Sequence, residues 1–150
     1  MVRVNGELSD SLTSAFGVAQ GECLSSFLFS IYLNDLEETL ELSGFDGIGM
    51  GMLKLYILLY ADDIILFSEN EEGLQKGLNI LHSYCQKSKL TVNVSKSKVM
   101  VFRKGGRLSD KIFTYNNEIL DIVPYFNYLG ITISSGGTFS HARAGVKGYL

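Results

Sequence analysis

Two adjacent aspartates, Asp62 and Asp63, interrupt an otherwise apolar stretch that reads "KLYILLYADDIILFSEN" from Lys54 to Asn70. No lysine or arginine stands between Leu55 and Lys76 to neutralise them. Held ~4 Å apart at an effective dielectric near 20, two carboxylates repel by about 4 kcal/mol, so a buried hairpin that carries them calls for a cation. Magnesium suits such oxygen donors, because it keeps several waters and is commonly shared between one or two carboxylates and the phosphates of a substrate. A pair of these ions can clamp the attacking and leaving oxygens of an in-line phosphoryl displacement. The chemistry suggested by Asp62 and Asp63 is therefore nucleotidyl transfer on magnesium, with manganese able to take its place. A solvated turn is the plainer reading of an Asp-Asp pair, and the apolar flanks set this one apart.

The elements that must position the pair can be read from periodicity. Leu53 to Tyr60 is a continuous apolar run that predicts a buried strand, turning at Ala61 to Asp63 into a second strand from Ile64 to Phe67. Upstream, Leu24, Phe27, Leu28, Ile31, Leu36 and Leu40 recur at helical spacing, which predicts one helix over Leu24 to Leu42 with Ser25 or Ser26 at its N-terminus. Gly44 to Gly51 breaks that pattern. Downstream, Ser68 and Glu71 have the spacing of a capping box, and Leu74, Leu78, Leu81 and Cys85 continue a helical stripe to about Lys89. Short strands are expected at Thr91 to Val94, Val99 to Phe102, Ile112 to Tyr115, Glu118 to Ile122 and Tyr128 to Ile133, with a tight turn at Asn116-Asn117. Helices inserted among antiparallel strands indicate an α+β fold, with helices packed on one face of an antiparallel sheet. With 150 residues, 46% of them hydrophobic and 19% charged, the chain can form one globular core.

The net charge of -3 conceals a division. Residues 1–75 carry two basic side chains, Arg3 and Lys54, whereas residues 76–150 carry three acidic ones, Asp110, Glu118 and Asp121. Within the second half, Lys87, Lys89, Lys96, Lys98, Arg103, Lys104, Arg107 and Lys111 form a basic run containing the single acid Asp110. Such a run is ordinarily a solvated face, but beside a metal-dependent nucleotidyl site it suits contacts to a phosphate backbone. The two cysteines, Cys23 and Cys85, lack the spacing of a zinc site or a disulfide framework. The N-terminus has no apolar signal segment, and no apolar run approaches the ~20 residues of a spanning helix. These features predict an intracellular protein of cytoplasm or nucleus, neither secreted nor membrane-spanning.

The segment before the first helix adds a second candidate site. In "GVAQGECLSSFLFSIYLNDL", Gly17 and Gly21 permit close backbone approach to a ligand, and Gln20 can both donate and accept hydrogen bonds. Together with "YADD" at Tyr60 to Asp63, "LTVNVSKSKVMVF" at Leu90 to Phe102 and "FNYLGITIS" at Phe126 to Ser134, this segment resembles, in order, the palm of reverse transcriptases of non-LTR, LINE-type retrotransposons.

That resemblance implies an RNA-directed DNA polymerase that extends a DNA primer on an RNA template from deoxynucleoside triphosphates. It assigns Asp62 and Asp63 to metal binding and catalysis, and Gly17, Gln20 and Gly21 to the incoming nucleotide and template. Lys96 is directed toward the triphosphate, with Lys98 close enough to compete for the role. Tyr60, Ala61, Tyr128, Leu129 and Gly130 are assigned to the primer. The chain departs from the family's common GVRQGCPLSPLLF by carrying Ala19 for the arginine, Glu22 and Cys23 for Cys-Pro, and Ser26 for the second proline. A further metal-binding aspartate belongs upstream of GVxQG in the family, and neither Glu7 nor Asp10 has the apolar strand context to supply it. The expectation is a partial palm without fingers, upstream catalytic strand or thumb, dependent on the remainder of a polymerase and inactive alone. A non-catalytic nucleic-acid-binding remnant and a group II intron-type maturase fragment are the alternatives.

Overall fold

The computed structural model describes residues 3–4, 7–8, 23–103 and 110–137, with side chains described from residue 24 onward. Arg3–Val4 (β1) and Glu7–Leu8 (β2) pair as a short antiparallel hairpin, so Glu7 does lie on a strand. Two helices follow, Cys23–Tyr32 (α1) and Leu36–Leu42 (α2), where the hydrophobic spacing predicts one. Around Leu33 to Asp35 the backbone tightens, with Asn34 N–H donating to the Ile31 carbonyl and Leu36 N–H to the Leu33 carbonyl. Asn and Asp favour such breaks because their side chains compete for backbone groups. Here the Asp35 carboxylate accepts a 2.5 Å bond from the Tyr84 hydroxyl rather than capping α2. Burial, then that bond, pushes the Tyr84 hydroxyl up to about 12. Ser25 and Ser26 fall inside α1 rather than at its N-cap, since the helix begins at Cys23.

The face of α1 is also reversed from expectation. Leu24, Phe27, Leu28 and Ile31 are exposed, while Phe29 packs against the core and Leu33, Leu36 and Leu40 are fully buried. The serines of α1, Ser25, Ser26 and Ser30, lie on one side of the helix, yet the side carrying Ser25 and Phe29 is the half-buried one, so periodicity marks a stripe without deciding which way it faces.

Helix α2 ends with Gly44 at φ +70, the Phe45 N–H reaching the Leu40 carbonyl and the Gly44 N–H the Glu41 carbonyl. This pairing of bonds is a Schellman motif, and it turns Phe45 into the core. Ile48–Met50 (β3) and Leu53–Leu55 (β4) form a hairpin through Gly51 at φ +65. The long run expected as one strand is thus split at Tyr56, and its second part, Ile57–Tyr60 (β5), pairs with Asp63–Leu66 (β6).

Glu71–Lys87 (α3) is the central helix. Its N-cap is Asn70, whose Oδ1 accepts from Gly73 N–H at 2.7 Å, while Ser68 braces the preceding turn by donating to the Asn70 carbonyl. Glu71 and Glu72 in the first turn and Lys87 in the last complement the helix dipole. A second Schellman motif, with Lys89 at φ +51, closes the helix through Leu90 N–H to the Cys85 carbonyl. Leu78, Leu81, Tyr84 and Cys85 are buried as the stripe requires, and Cys85 is a free thiol.

Beyond α3, Thr91 to Val94 is not a strand, and Val99 to Phe102 contracts to Lys98–Val99 (β7). Phe113–Tyr115 (β8) and Glu118–Ile122 (β9) form the expected hairpin, Asn116 and Asn117 taking φ +50 and +64 as a two-residue primed turn demands. Strand β7 joins β9 in parallel, giving a three-stranded sheet in the order β7-β9-β8. The strand expected over Tyr128 to Ile133 is instead a hairpin, Tyr125–Tyr128 (β10) with Ile131–Ser134 (β11), turning at Leu129-Gly130. The α+β class holds, with antiparallel pairing distributed over small hairpins and α3 packed against α2 and β8.

One contact makes the packing of α3 testable. A Cβ added at Gly77 would lie 2.4 Å from the ring of Phe45, which is itself buried. The better helix propensity of alanine offers about 1 kcal/mol, and overpacking a walled site costs about 1–3 kcal/mol. Gly77→Ala is therefore expected to lower the urea midpoint, and an unchanged or higher midpoint would show that Phe45 moves freely.

Candidate active site

The β5/β6 hairpin presents the aspartates at its tip. Tyr60 pairs with Asp63, which leaves a two-residue loop of Ala61 and Asp62. The hairpin is anchored at its far end, where Ile57 is buried and Leu66 packs against the core, and again beside the tip, where Ile64 packs on the same core. Toward the tip Leu58, Leu59 and Tyr60 are exposed, so the runs are not buried as expected. Asp62 and Asp63 are both exposed. Their repulsion falls toward the ~1 kcal/mol of a pair in water, so folding alone does not demand a cation here. The case for a metal rests on donor chemistry instead.

Neither carboxylate has a hydrogen bond or ion pair among the described residues, whereas Asp46 is tied to Lys54 at 2.5 Å and Asp121 to Lys98 at 2.8 Å. An unpaired, oxygen-only pair is the partial ligand set that magnesium accepts, the balance coming from water and phosphate. Among the described residues no group of three or more His, Cys, Asp or Glu could hold a metal. By donor type Asp62 and Asp63 could hold a metal and would supply only part of its shell.

Ala61 takes φ +49, a conformation that costs a non-glycine residue roughly 1–2 kcal/mol. Strain of this kind persists where surrounding pairing fixes it, here the Tyr60–Asp63 pair that closes the turn around Ala61 and Asp62. Ala61→Gly should relieve that strain, offset by about 0.5–1 kcal/mol of chain entropy, and so leave the melting temperature equal or slightly raised. A clear fall would contradict the turn geometry.

The other residues singled out by sequence divide into three groups. Gly17, Gln20 and Gly21, with Lys104 and Arg107, lie outside the described residues. Leu129 and Gly130 form the exposed tip of the β10/β11 hairpin at φ +50 and +79, with Tyr128 half-buried at its base. Lys96 is exposed on the turn after Asn93, and its side chain has no partner among the described residues. The basic run is partly neutralised, in a way that linear charge counting could not show. Lys98 bridges Asp121 and the Ser95 carbonyl, and Lys111 binds both Glu71 and Glu72, contacts that hold its ammonium above the usual lysine range. Lys87, Lys89 and Lys96 have no ion pair among the described residues.

Two open grooves of about 390 and 400 Å³ lie elsewhere, one between α2 and α3 around Asp35 and Lys87, the other around Phe67 and Phe102. Asp62 and Asp63 line neither. Both aspartates are exposed among the described residues, an exposure compatible with an extended polymer as ligand.

The family described as Reverse transcriptase (RNA-dependent DNA polymerase) matches residues 1–133. The chain belongs to the reverse transcriptase family. Relatives agree with the non-LTR resemblance. The chain is 30% identical over 132 residues to a Retrovirus-related Pol polyprotein from type-1 retrotransposable element R2 of Nasonia vitripennis, covering 82% of this chain and 13% of that protein. It is 30% identical over 148 residues to an R2 Pol polyprotein of Popillia japonica, covering 85% of this chain and 21% of that protein. The chain thus spans less than a quarter of the length of each of these two relatives. The reverse transcriptase family is one of nucleotidyltransferases, and among the chain's described residues no helix is long and apolar enough to cross a membrane.

Proposed function

We propose that the chain forms palm structure of an RNA-directed DNA polymerase, with Asp62 and Asp63 holding divalent metal for template-directed nucleotidyl transfer. The observation that carries this reading is the exposed, unpaired carboxylate pair on a strained two-residue turn. When bound, magnesium or manganese would neutralise charge on the phosphates and activate the attacking primer hydroxyl. The chain's own residues orient the reaction. Tyr60 and Ala61 flank the aspartates where a primer terminus would lie, the Tyr128-Leu129-Gly130 tip offers a second backbone contact to the primer, and Lys96 is free to meet the triphosphate. Gly17, Gln20 and Gly21 are assigned to the nucleotide and the template base by family pattern. RNA template, DNA primer and deoxynucleoside triphosphates are the partners.

Two carboxylates are an incomplete ligand set for a pair of metals, and the described residues offer no third. The chain by itself is therefore expected not to extend a primer. This also keeps open a second reading, a nucleic-acid-binding module without catalysis. Primer extension on an RNA template with magnesium separates them, using the chain alone and joined to any coding sequence that adjoins it in its gene. Metal-dependent incorporation by the joined form, lost in Asp62→Asn, supports the polymerase. Binding without incorporation in both forms supports the second reading.

A further inference from the structure

Two lysines compete by position for the triphosphate, and the structure separates them. Lys98 is committed: its ammonium donates to Asp121 Oδ2 at 2.8 Å and to the Ser95 carbonyl at 2.9 Å, tying β7 to β9. Lys96 is uncommitted, and its backbone is held by one residue. Asn93 Oδ1 accepts the Ser95 hydroxyl at 2.8 Å and the Lys96 N–H at 3.2 Å. The Asn93 carbonyl accepts the N–H of Lys96 at 3.2 Å and of Ser97 at 3.1 Å, and the Ser97 hydroxyl at 2.9 Å. The turn is seated at both sides, since Val92 and Val94 pack on the same core as Ile64 and Leu66 of the aspartate hairpin.

We infer that Asn93 is a positioning residue, whose side-chain oxygen fixes the turn that presents Lys96 to the triphosphate. The inference rests on the polymerase reading above, which supplies the role of Lys96. Asparagine suits this task because its short amide oxygen reaches the backbone N–H of following residues and mimics a further turn of chain. A lysine ammonium loses much rotamer freedom on binding phosphate, so fixing its backbone in advance lowers the cost of capture. Lys98, bonded to Asp121, serves as the strap that keeps the turn on the sheet.

The test is a double-substitution cycle on the purified chain, reading the affinity for a deoxynucleoside triphosphate with magnesium by calorimetry. Lys96→Ala should weaken binding about tenfold, through loss of one charge-assisted contact. Asn93→Ala should weaken it by about fivefold through lost pre-organisation, and the two together should be no worse than Lys96→Ala alone. Amide exchange at Lys96 and Ser97 should quicken in Asn93→Ala while Leu78 and Leu81 stay protected. Asn93→Asp, which keeps the acceptor, should restore that protection and most of the affinity. Ser95→Ala, a milder loosening of the same turn, should act in the same direction and carries the comparison if Asn93→Ala does not fold. Equal losses from Asn93→Ala with and without Lys96 would overturn the inference, as would normal affinity in Asn93→Ala beside a weakened Lys96→Ala. An unaffected Lys96→Ala would overturn the triphosphate role of Lys96 and this inference with it.

Discussion

Asparagine at Asp62 is expected to lower primer extension by about 100- to 1,000-fold in any assembly where the chain is active, the range seen when one preorganised electrostatic contact to a transition state is removed. The substitution keeps the shape of the side chain and one acceptor oxygen but removes the charge a hard cation needs. Its effect should fall on activity and leave the fold intact, because Asp62 lies exposed in a two-residue turn and supports no hydrogen bond or ion pair among the described residues. Without metal the substituted chain should melt at an equal or slightly higher temperature, since a like-charge neighbour of Asp63 has gone. Asp63→Asn should act in the same direction. Loss of activity together with loss of fold would instead make the pair structural, and unchanged extension would remove Asp62 from the mechanism.

The second large effect is on nucleic-acid affinity. Binding to an RNA–DNA hybrid is expected to be insensitive to sequence and to fall about 100-fold between ~50 and ~200 mM salt, as about four released phosphate contacts require. Not all the basic side chains should share in it. Lys111 is held by Glu71 and Glu72 and Lys98 by Asp121, so alanine at Lys111 should change little, whereas alanine at Lys87, Lys89 or Lys96 should each reduce the salt slope by about 1. Fluorescence anisotropy at several salt concentrations measures this. Absence of binding at low salt, or a slope unmoved by the three alanines together, would remove nucleic acid from the surface of α3 and the turn after it.

The same distribution of charge shows what a sequence discloses. The aspartate hairpin, α3 and the Asn116-Asn117 turn are legible because each is local: apolar runs flank a turn, a stripe repeats at helical spacing, and two asparagines accept positive φ. The ordered segments also carried the family resemblance, which the match over residues 1–133 bears out. What failed was decided by tertiary partners. Whether Leu24, Phe27, Leu28 and Ile31 face in or out depends on what packs beside α1, and the break between α1 and α2, where Tyr84 bonds Asp35, falls at a point that periodicity passes over. Asn70 displaces Ser68 as N-cap by a shift of two residues, within which caps are interchangeable in sequence. The pairing of Lys98 and Lys111 spans 23 and 39 residues, beyond any local rule.

Titration of the purified chain with manganese, followed by its electron paramagnetic resonance signal, tests directly whether Asp62 and Asp63 hold a divalent cation, without requiring turnover. Wild-type chain should bind manganese, with magnesium competing, and the Asp62→Asn/Asp63→Asn double substitution should weaken binding at least about tenfold while α3 stays folded. Equal manganese binding by the wild-type and doubly substituted chains, or none by either with nucleotide present, would contradict the assignment of these two carboxylates.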